Sequence, residues 1–103
     1  MARMVVIFRA PQDVAAFDQH YFEVHLPLAK TLPGLRKYEL SRGPITTLNG
    51  AGPTHLISTL HFDSLAAIKE AFASPQGQAC GADRRLLCLD ADVQIFLFDD
   101  QQV

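Results

Sequence analysis

Between Arg3 and Arg9 apolar, mostly β-branched residues run without a break between two charges, a length and composition that predict a buried strand. Pro11 interrupts the run, and Asp13 stands where a helix N-cap belongs. Beyond it Val14, Phe17, Tyr21, Val24 and Leu28 recur at three- and four-residue intervals and mark one face of a helix. Pro27 falls within that stretch. Lacking an amide hydrogen, it leaves the Glu23 carbonyl without its helical partner, which predicts a kink or an end near His25. Leu32-Pro33-Gly34-Leu35 closes the element in a turn.

From Arg36 to Arg42 the pattern alternates, with Tyr38 and Leu40 on one side and Lys37, Glu39 and Ser41 on the other, as in a strand. Residues 43–54 are rich in glycine and proline and predict a long mobile loop, a candidate lid over a pocket mouth. A third strand is expected from His55 to Phe62, with Leu56, Ser58, Leu60 and Phe62 opposite His55, Ile57, Thr59 and His61. Asp63 or Ser64 caps a helix whose stripe is Leu65, Ile68 and Phe72. Ser74-Pro75 then restarts the chain as another helix reaching about Leu87. Val93 to Phe98, between pairs of aspartates, is the last strand.

The order strand, helix, strand, strand, split helix, strand predicts an α+β, ferredoxin-like βαββαβ arrangement, an antiparallel sheet with its helices on one face. The first and last strands are apolar on both sides: Met4, Val6 and Phe8 against Val5 and Ile7, and Val93, Ile95 and Leu97 against Phe96 and Phe98. Helices on one face cannot cover both, and no segment is left to cover the other. A second copy packing sheet on sheet answers this, so a homodimer is expected.

Composition narrows the class. A chain of 103 residues, 49% apolar and 19% charged, is one domain's worth of sequence with material for an ordinary core. A single domain over residues 1–103 is therefore expected. No apolar run approaches the ~20 residues of a membrane span, and the apolar start is too short for a signal peptide. Net charge is −2 and pI about 6.0, with no basic stripe, so neither nucleic acid nor membrane is an expected partner. Cys80 and Cys88, lacking C-x-x-C spacing, read as small buried hydrophobes in a reduced, cytoplasmic protein. His55 and His61 are six apart along a strand, roughly 20 Å, too far to share a metal. No metal-ligand series, phosphate loop or serine triad is present, and no metal or cofactor is expected. Arg84 and Arg85 read as solvated helix charges.

The series Phe17, Tyr21-Phe22, His25-Leu26-Pro27-Leu28, Leu32-Pro33-Gly34-Leu35-Arg36 and Tyr38 resembles the EthD family, as does Leu60-His61-Phe62-Asp63-Ser64-Leu65 followed by Ser74-Pro75. The resemblance spans nearly the whole chain and implies a dimeric α/β barrel of ferredoxin-like subunits. It implies a small apolar or aromatic organic ligand. The family takes its name from an accessory protein of bacterial ethyl tert-butyl ether degradation that accompanies an oxygenase system. Its relatives include lactone isomerases of aromatic degradation and fungal polyketide dehydratases or decarboxylases. Such a protein is either a cofactor-free enzyme or a non-catalytic accessory, and membership fixes fold more firmly than reaction.

By that resemblance His25 and Tyr38 occupy positions that line a pocket between helix and sheet, with Phe17, Tyr21 and Arg36 as expected substrate-binding residues. The residues themselves allow it. An imidazole exchanges protons near neutral pH and a phenol can donate to an enolate oxygen, a pair suited to proton transfer beside a carbonyl. Tyr21 and His25, four apart, share a helix face. Two other readings stay open: His25 closes a kinked helix end while Tyr38 fills the core, and Tyr21 and Arg36 serve packing and surface charge. Arg36 otherwise suits a substrate carboxylate.

Overall fold

A computed structural model describes residues 1–103. Strand β1 (Ala2–Arg9) leads to helix α1 (Val14–His20), a π-helical turn (Tyr21–His25) and helix α2 (Leu26–Ala29). Strands β2 (Lys37–Leu40) and β3 (Thr54–Phe62) follow, then helices α3 (Leu65–Ala73) and α4 (Pro75–Leu87), a 3₁₀ turn (Asp90–Asp92) and strand β4 (Val93–Asp99). The four strands form one antiparallel sheet in the order β2-β3-β1-β4, with the helices packed on one face. This is the ferredoxin-like α+β fold read from the sequence. No helix is long and apolar enough to cross a membrane.

Local chemistry sets the boundaries. The Asp13 carboxylate accepts from the Ala16 amide and opens α1, and the Ser64 hydroxyl accepts from Ala67 and opens α3. Ser74 both ends α3 and caps α4 through the Gly77 amide, with Pro75 in the first turn. Gly34, at φ 78°, makes the left-handed turn after α2 that a side chain would resist.

The first helical stretch differs from its expected pattern in an informative way. It neither ends nor simply bends before Pro27. The Leu26 amide reaches back five residues to the Tyr21 carbonyl, and Pro27 enters as the first turn of α2, where its missing amide is harmless. In a regular α-helix, residues four apart drift by about 40° per step. The wider π turn removes much of that drift, so Phe17, Tyr21, His25 and Ala29 form the buried line. Val14 and Val24, expected on the inner face, are exposed.

The core divides into two groups. Ala2, Leu60 and Phe62 of the sheet pack with Ala29, Leu32, Ile68, Ala71 and Cys80, while Val6, Phe8 and Leu56 pack with Phe17 and Tyr21. The sheet-side pattern on β3 is as expected for Leu56, Ser58, Leu60 and Phe62, all buried. His55 is the exception: pairing slips from Phe8–Leu56 to Arg9–Thr54, so His55 is an extra residue in a bulge. Its imidazole contacts Phe17 edge-on and bonds the Asp18 carboxylate on the helical side, rather than sharing a face with His61.

Beyond the helices the sheet is bare. Phe96 and Phe98, 47% and 41% exposed, stand with Val5, Ile7 and Ile57 on the open face. Even the helix-side residues of β4, Ile95 and Leu97, are 46% and 47% exposed, because the helices cover that edge only in part.

Gly77 is where α4 approaches α3. A methyl there would lie 2.2 Å from the Ala71 carbonyl oxygen and 2.4 Å from Phe72 Cα, backbone atoms that cannot swing aside. Gly77→Ala is expected to cost about 1–3 kcal/mol or more. Gly81→Ala on the same helix meets nothing within 4 Å and should be neutral or stabilising by up to ~1 kcal/mol. Urea unfolding of both variants measures the contrast.

Candidate functional site

A cavity of about 200 Å³ lies between the sheet and the helices. Met4, Val6 and Phe8 of β1, Leu60 of β3, Ile95 of β4, Ala29 and Phe72 form its apolar walls, and His25, Tyr38, Ser58, Cys80, Arg84 and Arg85 supply the polar groups. An apolar cavity of about 150 Å³ holds benzene, so the space suits a molecule of about one ring.

His25 and Tyr38, expected to meet in a pocket, both line this one. The helical line through Tyr21 and Ala29 points the imidazole inward, while the β2 alternation turns Tyr38 and Leu40 toward the helices. The other expected binding residues lie elsewhere. Phe17 is buried against Phe8 and Tyr21 outside the cavity lining. Tyr21 stands behind the wall, its hydroxyl 2.6 Å from that of Tyr38. Arg36, 58% exposed, is held by a two-pronged pair with Asp63 at 3.1 and 2.7 Å, away from the cavity.

The 43–54 loop also departs from its expected place. It contributes no residue to the cavity lining and instead borders a second, shallower hollow with Asp18, Phe22 and His55. It is not positioned as a lid over His25 and Tyr38.

The polar framework behind His25 was not foreseen. Asp83, buried in α4, accepts from His25 Nδ1 at 2.9 Å and from His20 Nε2 at 2.9 Å. Burial opposes ionisation of Asp83, but the bonds from His25 and His20 outweigh it and hold the carboxyl below its ordinary range. An ionised carboxylate has no proton to give, so both imidazole nitrogens facing it are donors. The π turn makes this possible. Residues five apart in an α-helix point about 140° from one another, whereas the wider turn between His20 and His25 brings both rings to one carboxylate.

Burial pulls the His25 pKa below its ordinary value, only partly offset by Asp83. At neutral pH the ring is therefore neutral, with its proton fixed on Nδ1 and the Nε2 lone pair left free. No buried side-chain nitrogen or oxygen lacks a partner; Nε2 bonds no protein group and opens to the cavity. That is the geometry of a general base. Burial, followed by the Tyr21 hydroxyl, raises the Tyr38 pKa far above its ordinary value, and burial likewise raises that of Tyr21. Both phenols stay protonated. Tyr38 can donate to a bound oxygen while accepting from Tyr21. The Cys80 thiol is pushed up to about 11 by burial and remains neutral. No group of three or more His, Cys, Asp or Glu side chains converges to hold a metal.

Asp83 carries a faint sequence signal. It is the only acid of α4 and continues the Gly77, Cys80 spacing that faces inward. Arg84 and Arg85, which read as solvated, follow it directly and mask it.

A ferredoxin-like α+β protein with a cavity between its sheet and helices is the class these features define. The EthD domain family matches residues 9–87, and the chain belongs to that family. It is 37% identical over 84 residues, 81% of this chain and 80% of the other, to an uncharacterised 11.0 kDa protein of the thcB–thcC intergenic region of Rhodococcus erythropolis. An EthD family protein of Bacillus halodurans superposes with a TM-score of 0.87 at 24% identity, covering 98% of this chain and 99% of that one. SnoaB, a cofactor-independent oxygenase of Streptomyces nogalater, gives 0.66 at 18% identity over 99% and 94%. A dimeric ferredoxin-like protein of unknown function from Thermobifida fusca gives 0.67 at 17% over 94% and 88%.

The shared carboxylate has a pH signature. The folded His25 pKa lies below the unfolded value near 6.5, so its contribution to stability is complete above about pH 6.5 and is lost as the pH falls from there through the folded value. The protein should therefore unfold more easily at pH 5 than at pH 7. Asp83→Asn removes the group that supports the imidazolium, so the His25 titration followed by NMR should move to still lower pH. An unchanged midpoint would show that Asp83 does not govern the ring.

Proposed function

We propose that the protein binds a small, largely apolar organic molecule in this cavity and transforms it without a cofactor, His25 taking a proton and Tyr38 donating a hydrogen bond to the oxygen where charge develops. Isomerisation, dehydration and oxygenase-type chemistry all begin with such a step. The observation that carries the reading is the meeting of a neutral imidazole, fixed by Asp83, with a neutral phenol across an apolar cavity. The fold likeness to a cofactor-independent oxygenase adds support. We take the chain as a single EthD-like domain over residues 1–103 acting in the cytoplasm, its two thiols unpaired.

The same reading includes a homodimer. The open sheet face with Val5, Ile7, Ile57, Phe96 and Phe98 is an apolar surface that the chain itself leaves uncovered. A second copy laid sheet to sheet would cover it, and a fold neighbour is dimeric. Sedimentation at micromolar concentration should give a dimer, and Phe96→Glu should give a folded monomer. A wild-type monomer in that range would remove the dimer from the proposal.

One observation favours a second reading, a non-catalytic accessory serving a degradative oxygenase. The Tyr38 hydroxyl already has a partner in Tyr21 and needs no ligand to satisfy it. Hydrogen–deuterium exchange at acidic carbons separates the two readings, using a panel of butenolides and aryl lactones in deuterated buffer. The enzyme reading expects exchange above the buffer rate that falls roughly 10²–10⁴-fold in His25→Asn, with the melting temperature nearly kept. Binding of the panel without exchange would leave the accessory role standing.

A further inference from the structure

Arg85 lies on the cavity wall, yet it forms no ion pair or hydrogen bond with any other side chain. Its neighbour Arg84 is differently placed: its guanidinium is taken up by the Cys88 carbonyl and the Asp90 carboxylate. The lining contains these two cations and no carboxylate. Asp83 stands behind His25, its charge shared between two imidazoles. The cavity wall therefore carries one positive charge with no ion-pair partner and no carboxylate beside it in the lining. One helical turn before Arg85, Gly81 also lines the cavity, and a Cβ added there would meet nothing within 4 Å. The wall next to the free cation is thus bare backbone with open space above it.

Resting on the ligand-binding reading above, we infer that the cavity's ligand carries a carboxylate, which lies across Gly81 to pair with Arg85 while its ring fills the apolar interior. Arg85 presents a fork that a carboxylate can meet with two hydrogen bonds. Its exposure keeps the guanidinium hydrated before binding, so the pair selects among ligands more than it adds raw affinity. The cavity then sorts small ring compounds by charge as well as size. An uncharged isostere fills the interior equally well and leaves Arg85 unpaired.

Benzoate and benzamide, alike in shape and different in charge, test this by NMR titration of the backbone amides. Wild type should prefer benzoate by about 3–10-fold. The preference should shrink as salt rises, since an exposed pair is screened. Arg85→Gln should weaken benzoate by a similar factor and leave benzamide unchanged, and Arg85→Lys should keep part of the preference. Equal binding of both probes by wild type, or a benzoate affinity untouched in Arg85→Gln, overturns the carboxylate assignment while leaving the cavity as a binding site. Gly81→Leu places a side chain in the open space without a backbone clash and should abolish both titrations. Persistence of binding in that variant, or the absence of binding of either probe to wild type, refutes the cavity reading itself and the assignment with it.

Discussion

One buried carboxylate sets the relation between the two helical segments that make the site. Asp83 on α4 takes a hydrogen bond from His25 and another from His20, two donors that only the π turn can bring to the same place. A lone buried carboxylate would cost several kcal/mol in lost hydration. Two imidazole donors supply what water no longer does, and in return the rings lose their freedom to turn. The side chain that locks α4 to the first helical stretch thus also fixes which nitrogen of His25 faces the cavity. Structure and candidate chemistry depend on the same three residues.

Much of the fold was legible because its signals are local. Asp13, Ser64 and Ser74-Pro75 are caps whose chemistry acts within one turn, and all three act where the sequence places them. The β3 alternation reports the buried face directly. What escaped was non-local or non-standard. Assuming a regular α-helix put Val24 on the inner face, because a period of 3.6 cannot anticipate a turn of wider pitch, whereas Val14 is exposed as the first residue of α1. His55 escaped because a bulge moves it from its expected face to the helical side, where Asp18 receives it.

The site divides in the same way. His25 and Tyr38 were placed by a family resemblance together with helical and strand phase, and both line the cavity. Phe17, Tyr21 and Arg36 were drawn from the same series but lie behind or away from the wall. Nearness in sequence to a pocket residue does not decide which shell a side chain enters. Arg84 and Arg85 read as solvated charges and Asp83 beside them drew no reading, yet the helix sends Asp83 to the imidazoles, Arg84 to Asp90 and Arg85 to the cavity unpaired.

The α3–α4 junction bears on how anything reaches the cavity. Ser74 caps both helices at their corner, Gly77 brings their backbones into contact, and Asp83 anchors the far half of α4. A roof fastened at three points has little freedom to lift. The opposite wall is the edge strand β4, where Ile95 faces the cavity with almost half its surface uncovered. The strand that walls the cavity with Ile95 carries Phe96 and Phe98 on its other side, so anything laid against the open sheet face would bear on the cavity through a single layer of backbone.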